Sequence, residues 1–427
     1  MNLWRLLARR VEKAGPIRVG LIGAGKFGSM FLAQVPTSPG LAVVAVADLS
    51  PERARGACRN VGWEEERIAA TLFTEDALAL IARPEIEIVI EATGHPAAGI
   101  RHARAAIAAS KHIVMVNVEA DALAGPLLAA EAAKAGIVYS LAYGDQPALI
   151  CELVDWARAA GFRVLAAGKG TKYLPAYHTS TPETVWEHYG LTPEQAAAGG
   201  MNAKMFNSFL DGTKSAIEMA AVANATGLKA PADGLGFPPA AASELAIVLG
   251  TAHGEVEVVS SLYRNGEPVT NDLRWGVYVV FEAPGPYTAR CFAEYGVATD
   301  ATGTRAALYR PSHLIGLELG ISVISAVLRG EPTGAAERFR ADVIATAKKA
   351  LATGAVLDGE GGAMVWGKLV PAAASLTRGG LPIGLASGVR LRRAVPAGHM
   401  LTWDDVALDP ADETTRYRRR MEETCTA

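Results

Sequence analysis

Over the first 150 positions, short apolar runs alternate with stretches in which apolar residues recur at helical spacing. Residues 17–22, IRVGLI, suit a buried strand, and GAGKFGSMFLAQV turns through glycines into a helix. LAVVAVAD is a second strand, ending at Asp48. PERARGACRNV is a helix, EIEIVIEATG a strand, AAGIRHARAAIAAS a helix and KHIVMVN a strand. GPLLAAEAAKAG and IVYSLA add one more helix–strand pair. Strands that are apolar throughout and alternate with helices predict a parallel sheet covered on both faces. The rhythm changes near residue 145. A helix (QPALICELVDWARAAG), a strand (FRVLAAGKG) and later strands (GEVEVVSSLY, GVYVVFEA) predict a mixed α+β domain. After about residue 350 short β-like pieces surround a Pro-Ala-Gly turn. The expected fold class is α/β, with a Rossmann domain over 1–150, an α+β catalytic and oligomerisation domain over 151–349 and a small β module over 350–427.

Residues 202–227, NAKMFNSFLDGTKSAIEMAAVANATG, carry the most informative pattern. They read as one long helix. Lys204, Asn207, Asp211, Lys214 and Glu218 recur at steps of three and four. At about 100° per residue they fall within an arc of roughly 80°. Phe206, Phe209, Leu210 and Ile217 point the other way. A solvated face is the commonest origin of such a stripe; the lining of a site is the alternative. Gly212 inside the helix costs about 1 kcal/mol against Ala, which suggests close approach of another group.

Composition narrows the function classes. A chain of 427 residues exceeds one ordinary core, and 50% hydrophobic content supplies several. A net charge of -3 gives no footprint for nucleic acid or an acidic membrane. Cys58, Cys151, Cys291 and Cys425 stand apart, with no CxxC pair, so a reducing cytoplasm is expected. No apolar run is long enough to span a bilayer. The opening MNLWRLLARRVEKAG is basic and amphipathic but lacks a secretory centre and cleavage site; a helix packed on the first domain is expected there.

Gly23, Gly25 and Gly28 spell G-x-G-x-x-G between a strand and a helix, where a dinucleotide site requires it. Gly23 permits the turn, Gly25 lets a pyrophosphate approach the backbone, and Gly28 lets helix and strand pack closely. Lys26 and Phe27 sit within the same turn. A glycine-rich turn in an unliganded α/β domain is the plainer alternative. Asp48 suits a ribose hydroxyl and favours NAD; Arg53 and Arg55 suit a 2′-phosphate and favour NADP. Thr93, Gly94 and His95 follow another strand end on the same sheet edge and are candidate contacts to the nicotinamide ribose.

With these motifs in hand, the N-terminal half resembles the homoserine dehydrogenase superfamily. GMNAKMFNSFL is similar to that superfamily's G-x-x-N-G-T-x-N-Y-I-L segment, matching at Gly200, Asn207 and Leu210. The superfamily's catalytic Lys would follow Asn117, but VNVEAD places Val118 there, which argues against homoserine oxidation. VNVEAD, GKGTKYLP, NAKMFNSFLDGTK, YRPSHLIGLE and VPAGHMLTWDDV resemble the homoserine dehydrogenase-like proteins with a C-terminal SAF domain. That group includes DXR-like enzymes, a second type of 1-deoxy-D-xylulose 5-phosphate reductoisomerase.

The resemblance implies that Asp211 and Lys214 are active-site residues. Lys204 is a further cation on their face. Lys172, with Lys169 and Tyr173 in GKGTKYLP, is a candidate for holding a phosphorylated or carboxylated substrate. Glu119 and Asp121 lie on the expected cofactor side and are candidates for a divalent metal or substrate hydroxyls, an acidic helix start being the alternative. His313 is a weaker candidate. The combined expectation is an NAD- or NADP-dependent oxidoreductase, forming a homo-oligomer and acting on a small polyol-like or phosphosugar substrate. Reductive isomerisation is its most specific form. A sugar-acid, polyol or homoserine dehydrogenase is the nearest rival, and a non-catalytic nucleotide sensor the more distant one.

Overall fold

The computed structural model describes residues 2–425. They form two compact units. The first comprises residues 2–152 and 313–337, the second residues 153–312 and 338–425.

In the first unit six parallel strands form one sheet: β1 (Ile17–Ile22), β2 (Leu41–Ala47), β3 (Leu72–Thr74), β4 (Ile88–Glu91), β5 (His112–Met115) and β6 (Tyr139–Leu141). Their order is β3-β2-β1-β4-β5-β6, the doubly wound arrangement expected from the alternation. Ile17, Val19 and Leu21 of β1 have no exposed surface, each contributing roughly 1.5–3 kcal/mol of hydrophobic burial. The opening segment is the helix Leu3–Ala14, with Leu3 and Leu7 buried. The chain returns to this unit late: Leu319, Val323 and Ala326, in and beside the helix Gly320–Arg329, join the core with Leu7, Ile17 and Phe31.

The second unit holds a four-stranded sheet of β7 (Arg163–Thr171), β8 (Glu255–Ser260), β9 (Val277–Glu282) and β10 (Arg305–Arg310), in the order β10-β9-β7-β8. Strands β7 and β8 are parallel; β9 runs antiparallel to β7 and β10. Two antiparallel sheets follow. One pairs β11 (Ala341–Ala347) with β13 (Val365–Pro371). The other orders β12 (Val356–Asp358), β14 (Ser387–Leu391) and β15 (Val406–Ala407) as β12-β14-β15. The 350–427 segment, expected as a module apart, lies within this second unit, because β11 and β13 pack on the helix Thr213–Thr226.

That helix departs from the single helix expected over 202–227. Residues 202–227 form two helices, Ala203–Leu210 and Thr213–Thr226, broken at Asp211-Gly212. Gly212 has φ 89°, a left-handed conformation that glycine takes without strain. Asp211 seals the break by accepting from the Thr213 amide at 2.9 Å through Oδ1. The glycine that looked costly inside a helix is therefore the hinge between two.

Candidate functional site

The carboxyl edge of the six-stranded sheet carries the glycine turn, and each of its glycines has a separate cause. Gly23 has φ 95°, and a Cβ there would lie 2.6 Å from the Ala92 carbonyl. A Cβ on Gly28 would lie 2.3 Å from the Gly23 carbonyl. Those two are demanded by the fold. Gly25 is not: its φ is -70°, and a Cβ would meet nothing within 4 Å. Gly25 and Lys26 are exposed and Phe27 half-buried, at the start of the helix Lys26–Gln34. An open glycine at a helix N-terminus suits a pyrophosphate, which needs backbone access and favours the positive end of the dipole.

Asp48 is buried and occupied. Oδ2 accepts from the Ala24 amide at 2.9 Å; Oδ1 accepts from the Ser50 amide at 3.0 Å and from Arg53 at 2.6 Å. Its carboxylate ties the turn to the start of the next helix. Arg55 leans over the Phe73 ring at 4.8 Å and pairs with Glu52, leaving Arg53 as the cation beside Asp48.

The second strand end is braced from below. Glu91, fully buried at the end of β4, accepts from the Thr93 hydroxyl at 2.6 Å and lies 3.1 Å from His102 Nδ1. Asn117 Nδ2 donates to the Thr93 hydroxyl at 3.3 Å and to the His95 carbonyl at 3.0 Å. Thr93, Gly94 and His95 are exposed above this brace. The His95 side chain caps the helix Pro96–Ala108, accepting from the Ala98 amide at 3.4 Å. The helix expected from Gly125 begins earlier and runs Val118–Lys134, with Asn117 as its cap. Val118 is buried at its first position, and Glu119 is half-buried one residue on. Asp121 is buried against the Tyr139 hydroxyl at 2.8 Å, and burial pushes its carboxyl up to about 7.

In the second unit the stripe is not a solvated face. Asn207, Asp211 and Glu218 are buried, Lys214 is half-buried, and Lys204 alone is exposed. Glu218 pairs with Lys169 of β7, both nearly without exposed surface. Asp211 Oδ2 pairs with Lys348 at 2.7 Å. Burial pushes the Asp211 carboxyl above its usual range, against the pull of Lys348. The Lys348 ammonium also donates to the Ser180 and Gly362 carbonyls at 2.7 and 2.6 Å. Lys348 is thus held by one carboxylate and two carbonyls, and Asp211 is a buried anchor rather than an open acid.

Beside that anchor lies an imidazole with both nitrogens assigned. His178 Nδ1 lies 2.7 Å from the Asp211 carbonyl, which can only accept, so Nδ1 carries the proton. Nε2 then accepts from the Tyr173 hydroxyl at 2.7 Å. The His178 ring stacks on Trp366 at 3.8 Å, and Tyr173 stacks on Phe237 at 3.8 Å. Burial lowers the His178 pKa, with Lys348 and Lys368 adding to the effect, which keeps the ring neutral. The Tyr173 phenol is pushed up to about 12 by burial.

Two of the expected cations have partners of their own. Lys204 donates to the Asp358 carbonyl at 2.7 Å, and Lys172 donates to the His188 carbonyl. Lys214 is the second residue of the helix whose first amide, that of Thr213, Asp211 holds. Sequence reading missed Lys348, His178 and Trp366. His178 is a lone histidine in a Pro- and Tyr-rich loop, and Lys348 and Trp366 lie far along the chain, so no local pattern joins them to Asp211. Among the described residues no three His, Cys, Asp or Glu side chains group as metal ligands, so the divalent-metal expectation gains no site. No helix is long and apolar enough to cross a membrane among the described residues.

Two family models match parts of the chain. Residues 17–116 match the GFO/IDH/MocA model, described as oxidoreductase family, NAD-binding Rossmann fold. Residues 144–319 match the model described as oxidoreductase DRL, catalytic domain. No curated protein matches the chain. Among solved structures, the chain is similar to an NAD-binding oxidoreductase from Klebsiella pneumoniae, at 19% identity over 39% of this chain and 47% of that one, TM-score 0.29. It is similar to biliverdin reductase from Synechocystis, at 20% identity over 43% and 55%, TM-score 0.29. It is also similar to a probable dehydrogenase from Thermotoga maritima, at 14% identity over 74% and 90%, TM-score 0.37. The chain spans about half the length of the first structures it matches, from 47% to 55%.

Proposed function

We propose that this protein is a nicotinamide-dependent oxidoreductase that moves a hydride between NAD(H) or NADP(H) and a carbonyl or alcohol of a small polar substrate. The observation that supports it most is Gly25, a glycine with ordinary φ and open space around it, in a turn whose other glycines are structurally required. The turn at Gly23–Gly28 and the helix after it would hold the pyrophosphate. Arg53 and Asp48 would lie toward the adenosine ribose, and Thr93–His95 toward the nicotinamide ribose. When bound, the nicotinamide supplies or accepts the hydride. In this reading the second unit binds and orients the substrate and handles the proton. Lys214 Nζ is the candidate donor to a developing alkoxide, a role suited to a partly desolvated lysine. Tyr173 and His178 are a second proton path, held neutral and aligned by the Asp211 carbonyl.

Reductive isomerisation of a phosphorylated hydroxyketone is the narrower form of this proposal, together with the SAF-type assignment of the C-terminal β segment. Homoserine is disfavoured because Val118 stands where a catalytic lysine would. The test begins with fluorescence titration of NADH and NADPH on the wild type and Gly25→Asp, expecting strong loss in the variant with its fold unchanged. Nicotinamide absorbance across phosphosugars, sugar acids, polyols and homoserine then identifies the substrate. No binding of either nucleotide by the wild type would sink the proposal; binding without turnover of any carbonyl or alcohol would favour a nucleotide sensor.

A further inference from the structure

Phe237 holds a backbone conformation that its own side chain and its neighbour both oppose. Its φ is 48°, in the left-handed region that bulky residues avoid. Pro238 follows, and a residue before proline is pushed toward extended backbone with negative φ. Strain of this kind persists only where the surroundings enforce it. Strand β8 enforces it from both sides. Glu257 accepts from the Gly236 amide at 3.0 Å through each carboxylate oxygen, and from the Phe237 amide at 3.4 Å. The Ser260 amide donates to the Pro238 carbonyl at 2.9 Å. Residues 236–238 are thus strapped along one strand at both ends.

Glu257 is itself fixed. Its Oε1 accepts from the Val258 amide at 2.8 Å, and its backbone carbonyl accepts from the Tyr278 hydroxyl at 2.7 Å. Burial pushes its carboxyl up to about 7, against the pull of the three amides. An acid buried at such a cost is explained by what it holds rather than by stability. What it holds is a ring. Phe237 stacks on Tyr173 with the planes 18° apart. The far edge of the same ring reaches the hinge between the two helices: a Cβ on Gly212 would lie 3.4 Å from Phe237 Cζ and 3.3 Å from His178 Cε1. Tyr173 is held at its other end by the Ser260 hydroxyl, which donates to its carbonyl at 2.7 Å. Ordinary core packing accounts for a stacked pair, but not for a strained one beside open space. Tyr173, Phe237 and Glu257 all line a cavity of about 440 Å³, room for the ring to turn if nothing held it.

We propose that Phe237, held in its strained conformation by Glu257, is a positioning residue that aligns the Tyr173 hydroxyl with His178 Nε2. This deepens the oxidoreductase reading and rests on it only for the use of the pair as a proton path. The plane of the phenol, set by the Phe237 ring, fixes the direction of the 2.7 Å hydrogen bond to Nε2. A proton moves between the two groups only along that bond. A phenol turned out of line therefore breaks the path with every proton-carrying group still present.

Nitrogen NMR of the full chain carrying isotope-labelled histidine tests the assignment, with the His178 signals identified by their loss in His178→Gln. In the wild type, Nδ1 should carry the proton and Nε2 should show the displacement of a hydrogen-bond acceptor. Phe237→Leu, which keeps apolar bulk and loses the flat ring, should return Nε2 toward its unbonded position. Phe237→Gly should do the same although glycine accepts the positive φ freely, which separates the ring from the strain. Glu257→Leu should match them. Glu257→Gln, which keeps one acceptor for the strap, should fall between, a grading that misfolding does not produce. Phe292→Leu removes a similarly buried ring from the aromatic cluster around Phe281 and should leave His178 as in the wild type. An unmoved Nε2 signal in Phe237→Leu and Glu257→Leu, or an equal displacement in Phe292→Leu, would overturn the proposal. NADH and NADPH titrations of the wild type separate the two claims: failure to bind either nucleotide removes the oxidoreductase reading, while the alignment is still read from His178 itself.

Discussion

Replacing Asp121 by Asn should make the protein more stable in mild alkali and less stable in mild acid. Asp121 has no exposed surface; Oδ1 accepts from the Tyr139 hydroxyl and Oδ2 has no hydrogen-bond partner. Burial raises its carboxyl from 3.8 to about 7. A raised acid binds its proton more tightly in the folded chain, so its effect falls between those values. Folding gains from the proton below about pH 4, the gain erodes as pH rises through about 7, and the full cost of a buried charge is present above that. A shift of about three units corresponds to roughly 4 kcal/mol across that window, as an order of magnitude. Asn carries no charge and keeps the acceptor for Tyr139, but its amide N–H groups replace an unpartnered oxygen at a cost of about 1–3 kcal/mol. Asp121→Asn should therefore be stabilised by about 1–3 kcal/mol near pH 8 and destabilised by a similar amount near pH 4. Urea unfolding of both proteins across this range measures the difference, in which all other titrating groups cancel. Parallel stability curves would show that Asp121 is ionised throughout and that the burial argument is wrong.

Lys348→Met should leave Asp211 as a buried charge without its partner and destabilise the second unit by about 3–5 kcal/mol. Adding Asp211→Asn should recover most of that loss in chemical denaturation; an uncorrected double variant would mean that Lys348 acts through its carbonyl contacts instead. Lys214→Ala should lower turnover about 10²–10⁴-fold with nucleotide affinity unchanged, as measured by steady-state kinetics beside fluorescence titration. A smaller loss would move the proton-donor role to the Tyr173–His178 pair.

The Rossmann half was legible because its signals are local. Period and strand–helix alternation place β1, β2, β4, β5 and β6, and the glycine turn falls where they require it. The short strand β3, Leu72–Thr74, carries too few residues to show a period. The helix over 202–227 misled for a physical reason. Its apolar and polar positions keep helical spacing across the break, because both helices pack on the same interior, and only Gly212 marks the interruption. The ion pair of Asp211 with Lys348 and the stack of His178 on Trp366 join positions far apart in sequence. Their types are common ones, so nothing short of the fold could pair them.

The late return of residues 313–337 to the first unit bears on how the chain can be made and cut. Leu141 donates its amide to the Gly334 carbonyl at 2.7 Å, the Thr333 amide donates to Ser140 at 3.0 Å, and the Ser322 hydroxyl receives the Tyr143 amide at 2.8 Å. The edge strand β6 is thus finished by residues translated after most of the second unit. During synthesis, that edge and the seat of Leu319 and Val323 stay uncovered until residues 313–337 have been made. A fragment ending near residue 152 would keep the glycine turn and lose those contacts for good, so it should be less stable than the same unit in the long chain.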